Sequence, residues 1–179
     1  IRNERRALAT PDGQPIVRLH IGLGWAAAQA GKDVDLDASA ITFDADGKKD
    51  EIVWRRHLSE YHGAVQHMGD NRAGSAAGLD AEAIVVDLPR VPINVAAVVF
   101  TINSMTGDRF TDLAHAYLRL VDQVTGYEVA RFDLTDTQPS TAVIMAIIKR
   151  QPATGGWEMR AIGEFHDTRF VKKLVDASE

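Results

Sequence analysis

Short apolar runs, each closed by a turn, recur along this chain without the long amphipathic segments that parallel strand crossovers require. "VRLHIGLGW" (17–25), "ASAITFDADGKKDEIVWRRH" (38–57) and "AHAYLRLVDQVTGYEVARFDL" (114–134) are partly alternating, rich in β-branched and aromatic residues, and broken at Asp-Gly or Thr-Gly turns. In the second run Ile41, Phe43, Ile52 and Trp54 fall on one face of a hairpin turning through Ala45 to Lys48, with Gly47 suited to positive φ. In the third, Tyr117 to Val121 pairs with Val129 to Phe132 across Gly126. "VAAVVFTIN" (95–103) and "TAVIMAIIKRQPATGGWEMRAIG" (141–163) read as buried strands, the latter a pair joined by a Pro and Gly-Gly loop. Helical signals are few: a turn near Phe110 to Leu113, and Phe170, Val171 and Leu174 at helical spacing in a short C-terminal helix. The expectation is an all-β, two-sheet antiparallel β-sandwich with a few short helices, forming a single domain over residues 1–179.

Composition removes whole classes of function. With no cysteine there is no disulfide, thiolate nucleophile or thiolate metal site, so a metal must be held by oxygen or imidazole. A net charge of −5, with scattered Lys and Arg, gives no footprint for nucleic acid or an anionic membrane. No apolar run approaches the roughly 20 residues of a membrane helix, so direct membrane insertion is not expected and a cytoplasmic location is.

The acidic segments carry the chemistry. "HMGDNRAGSAAGLDAE" (67–82) gathers Asp70, Asn71, Asp80 and Glu82 among Gly69, Gly74 and Gly78. Calcium takes six to eight oxygens from carboxylates, amides, backbone carbonyls and water, which such loops supply. "GKDVDLDASA" (31–40) alternates Asp33, Asp35 and Asp37, which on a strand puts all three on one face, where mutual repulsion calls for a counterion. A solvated acidic edge and a polar loop explain the same pattern. "DADGK" (44–48) begins like an EF-hand loop but lacks the distal glutamate and helices, and reads as a hairpin turn.

Other constellations are bland. The six histidines have no zinc-motif spacing and read as surface or hydrogen-bonded groups. Ser39, Ser75 and Ser104 lack a nucleophile elbow, and the Gly-rich stretches lack the lysine of a phosphate cradle. Trp25, Trp54 and Trp157 read as core aromatics on strands. Asp108 and Arg109 lie in a loop that comes near the acidic ones if strand ends converge.

Taken in order from "VRLHIGLGW" through "VDLDASAITFDADGKK", "SEYHGAVQHMGDNRAG", "IVVDLPRVP" and "RLVDQVTGYEVARFDL" to "GWEMRAIGEF", the chain resembles the TerD family of tellurium-resistance and general stress proteins, most clearly over 16–165. The resemblance implies a β-sandwich and a non-enzymatic, calcium-binding stress-response protein, with protein partners in a stress-resistance complex. It puts Asp70 and Asn71 in the family's Gly-Asp-Asn element and Gly74 after it. Asp80 and Glu82 fall in the closing acidic run, and Asp35 and Asp37 in the Asp-Leu-Asp element, giving metal candidates Asp35, Asp37, Asp70, Asn71, Gly74, Asp80 and Glu82. The chain departs where the family carries more carboxylates: Ala77, Leu79 and Ala81 stand in that run, and Ala26 follows Trp25. Fewer anionic ligands imply one site at most, weak binding, or a calcium-independent interaction module that has kept the fold.

Overall fold

Alternation along the strands sets one side chain inward and the next outward, and here two sets of inward faces meet. The computed structural model describes residues 4–29, 31–69, 74, 79–134 and 139–168. Its strands are β1 (Arg5–Ala7), β2 (Arg18–Ala27), β3 (Leu36–Phe43), β4 (Lys49–Val53), β5 (Ser59–Glu60), β6 (Val65–His67), β7 (Glu82–Asp87), β8 (Ala97–Ser104), β9 (Leu113–Asp122), β10 (Glu128–Asp133), β11 (Ala142–Arg150) and β12 (Trp157–His166). They form two six-stranded sheets, ordered β1-β12-β11-β8-β3-β4 and β10-β9-β2-β7-β6-β5. Every pairing between these strands is antiparallel. The expected sandwich is the observed fold, and the only helices among the described residues are 3-10 turns, including Phe110–Asp112 where a turn was expected. The expected C-terminal helix falls largely on 169–179, outside the described residues.

The main core lies between the sheets. Leu19, Ile21, Leu23 and Trp25 of β2 meet Val98, Phe100 and Ile102 of β8 and Val143 and Ile148 of β11. Trp25 is fully buried, and its indole N–H donates to the Val34 carbonyl at 2.6 Å. Both expected hairpins form, with Ile41 opposite Ile52 and Tyr117 opposite Asp133; their turn glycines, Gly47 and Gly126, have φ near +80° (+81° and +79°). A bulge between Ile144 and Ala146 reverses the alternation within β11. Val143, Met145, Ala146 and Ile148 therefore feed the inner core. Ala142, Ile144 and Ile147 instead join Ile41, Phe43 and Val99 in a second apolar cluster on the opposite face of the first sheet. Ile52 and Trp54 pack against that cluster, although Trp54 lies just past β4 in an isolated bridge rather than on a strand.

Truncating a side chain held between both sheets leaves a cavity that neither can close. Ile21→Ala is expected to cost about 2–5 kcal/mol by urea unfolding, whereas Ile93→Ala, at a position 84% exposed, should change stability by less than about 0.5 kcal/mol.

Candidate metal centre between the sheets

Three chemistry-bearing side chains meet where the sheets come together. His67 ends β6 opposite Ile84, and Glu82 opens β7 opposite Leu23, so both belong to the second sheet. Asp37, the second residue of β3, comes from the first sheet and lies across from Asn103. Ligating atoms of Asp37, His67 and Glu82 all lie within 4.8 Å of one another. Each of the three residues is 2% exposed.

His67 Nε2 is 3.2 Å from Glu82 Oε1 and 3.6 Å from Asp37 Oδ1. Glu82 Oε1 also accepts the Ala38 amide at 3.3 Å, a bond running from one sheet to the other. The Gly69 amide donates to His67 Nδ1 at 3.1 Å, which assigns the proton of the neutral ring to Nε2, facing the carboxylates. A second proton on the ring would forfeit the Gly69 bond while strengthening attraction to both acids. Burial opposes that charged form, but attraction to the Asp37 and Glu82 carboxylates outweighs it and raises the pKa to about 9.

Asp37 Oδ1 has no hydrogen-bond partner among the described residues. A buried carboxylate oxygen in that condition is costly unless a cation meets it. The donor set fits a divalent cation in its two carboxylates and this orphaned oxygen. His67 Nε2 departs from the all-oxygen cage that calcium prefers.

The remaining candidates have other surroundings. Asp70 and Asn71 lie outside the described residues. Gly74, at φ +89°, sits so close to Trp25 that an added Cβ would overlap its carbonyl, so the loop returns to β2 at that point. Asp35 is buried near Arg55, with a carboxylate-to-guanidinium distance of 3.7 Å, while its backbone carbonyl accepts the Met105 amide. The expected single acidic face does not form, because β3 begins only at Leu36: Asp33 is exposed and Asp35 precedes the strand. The loop carrying Asp108 does converge on this end, where Asp108 pairs with Lys32 at 2.5 Å.

Asp80 is not brought to the cluster. Its oxygens accept from His20 at 2.8 Å, Tyr117 at 2.9 Å and Arg119 at 2.9 Å, over β2 and β9. Burial raises the cost of its charge, yet these donors hold the carboxyl well below the usual range. Gly22 makes the space: a Cβ there would overlap the Asp80 carboxylate, as one at Gly24 would overlap the Tyr117 ring. Sequence reasoning missed His67 as a member of the metal-type group. The available signal was alternation, since Val65 and His67 share the buried face of one short strand around exposed Gln66.

Asp80→Asn is expected to cost about 2 kcal/mol at neutral pH, the scale of a charged hydrogen bond. Gly22→Ala should cost a similar amount and add little to it, because both remove the same clasp. A carboxylate depressed in the folded state stabilises fully above its unfolded pKa and loses that benefit as the pH falls. In urea titrations the gap between wild type and Asp80→Asn should therefore begin to narrow only as the pH falls below about 4, and should close only once the pH passes the still lower folded-state pKa.

Three comparisons bear on this architecture. A family model described as "TerD domain" matches residues 3–177. The chain is 36% identical over 173 residues to the tellurium resistance protein TerZ of Serratia marcescens, covering 91% of this chain and 87% of that one. It is 33% identical over 166 residues to general stress protein 16U of Bacillus subtilis, covering 87% and 84%. Among solved structures, a homologue of telluride resistance protein TerD from Streptomyces coelicolor shares the fold at a TM-score of 0.79 and 20% identity, covering 92% and 98% of the two chains.

Proposed function

From the premise that this chain belongs to the TerD domain family, we propose that it is a non-enzymatic stress-resistance protein whose sandwich is locked by a divalent cation, calcium by the resemblance. The observation that carries the reading is the buried meeting of Asp37 and Glu82 from opposite sheets, with Asp37 Oδ1 lacking a hydrogen bond among the described residues. A cation shared by these carboxylates would tie the sheets together and offset the part of their repulsion that His67 leaves uncompensated. Asp37 and Glu82 are the core ligands of this reading. Asp35 and the oxygens of Asp70, Asn71 and Gly74 complete the candidate set, and Asp80, whose oxygens are taken by three donors, is left out. The bound ion supplies charge neutralisation and cross-linking, not a reacting group.

The burial of the three side chains favours a non-enzymatic role, since groups 2% exposed leave a substrate no room. No helix among the described residues is long and apolar enough to cross a membrane. A cytoplasmic site of action, working with other proteins of a stress-resistance complex, belongs to the same proposal. The names of the relatives, tellurium resistance and general stress proteins, support the resistance role.

One observation favours a second reading. His67 directs a proton at Glu82 and stands beside Asp37, so the ring supplies part of the compensation a metal would provide. On that reading the protein is a calcium-independent interaction module.

Thermal unfolding of chelator-treated protein, with calcium and then magnesium added back, separates the two. Binding to the folded state alone should stabilise it by about 2.7 kcal/mol at a hundredfold excess over Kd. Asp37→Asn and Glu82→Gln should abolish that rise. A wild-type melt indifferent to millimolar calcium overturns the metal reading and leaves the interaction module, for which a pull-down should recover the same partner with and without chelator.

A further inference from the structure

The outer face of the first sheet, away from the candidate metal centre, carries a cleft of about 490 Å³. That volume lies within the range of small-molecule sites, roughly 300–1,000 Å³. Val99, Ile144, Ile147 and Ile162 make an apolar floor, and Lys149 and Arg160 stand at one end.

The charges around it are unevenly committed. Asp44 accepts the Asp46 and Lys48 amides, Glu164 accepts from His166, and Arg150 donates to the Val91, Pro92 and Val95 carbonyls while stacking on Trp157. Lys149 and Arg160 have no ion-pair partner among the described residues, and Arg160 Nε is buried without a hydrogen bond. Lys149 lies directly across β11 and β12 from Glu158 without closing a pair, since the ion pair of Glu158 is a long one, 3.9 Å, to Arg5. Arg5 is itself directly opposite Arg160 on β1 and β12, and like charges in that register repel. A smaller hollow of about 110 Å³, lined by Arg5, Lys149, Gln151, Glu158 and Arg160, continues the cationic end. In a chain of net charge −5, this hollow gathers three cations about a single carboxylate, Glu158, and it opens onto a cleft whose own two carboxylates, Asp44 and Glu164, already accept hydrogen bonds.

We propose that this cleft binds a small amphiphilic carboxylate, its head held by Arg160 and Lys149 and its apolar chain laid over Val99, Ile144, Ile147 and Ile162. The head satisfies Arg160 and relieves its repulsion with Arg5, and the chain fills the cleft against partly exposed Ile162, above the buried Val99, Ile144 and Ile147. A neutral amphiphile lacks the first term, and a bare carboxylate lacks the second.

Calorimetric titration of the whole chain with octanoate, octanol and acetate tests this. Octanoate should bind saturably at one site, with octanol and acetate at least about tenfold weaker, the scale of one charged hydrogen bond. Arg160→Met and Lys149→Met should each weaken octanoate by about tenfold. Glu158→Gln, which removes the competing carboxylate, should tighten it, a gain that a folding defect cannot imitate. Absence of octanoate binding, octanol or acetate binding as well as octanoate, or indifference to Arg160→Met and Glu158→Gln would each overturn the proposal. Circular dichroism melts of the variants check that the fold is intact.

Discussion

Closure of two antiparallel sheets over one dry layer is the constraint that the rest of this molecule obeys. Strand backbones can enter that layer because their amides and carbonyls pair within each sheet. Side chains can enter only if they are apolar or find partners, and an unsatisfied polar group there costs about 1–3 kcal/mol. Leu19, Ile21, Phe100 and Ile102 meet the first condition. Asp37, His67 and Glu82 meet the second only jointly, by facing one another where β3 approaches β6 and β7. Their placement inside the layer rather than on its rim is what makes charge compensation there a matter of stability.

The strands were legible in the sequence because alternation and turn chemistry are local. Gly47 and Gly126 mark the two hairpins at the positions where positive φ is needed. The cluster was not legible as a whole, because residues 37, 67 and 82 are joined only by sheet packing. Asp37 and Glu82 could be proposed from their acidic runs, whereas His67 needed its strand to be recognised first. The Asp33, Asp35 and Asp37 pattern misled because alternation applies only inside a strand, and β3 begins at Leu36. A lone acid in a glycine-bearing loop also gave no hint of the Asp80 clasp. Its signal lay elsewhere, in Gly22 and Gly24, since glycine within a strand marks a close approach.

The segment leading into β7 is pinned to β2 at three heights. Gly74 presses on the Trp25 carbonyl, Asp80 lies over Gly22 on the outer side, and Glu82 faces Leu23 within the core. Gly74, Asp80 and Glu82 thus all meet a strand whose inner face is the centre of the hydrophobic layer, and the Asp80 clasp anchors the entry to β7 against it.

Each sheet also has to end somewhere, and the four outermost strands end in a particular way. β1 and β5 have three and two residues, too short to template another chain. β4 opens with Lys49, Asp50 and Glu51, and β10 carries Glu128, Arg131 and Asp133. Short or charged borders are how natural sheets resist growing sideways into fibres. A sandwich with such borders is thereby a poor seed for polymerisation. Growth by adding strands at the borders is disfavoured, which leaves the faces and loops as the surfaces open to contact.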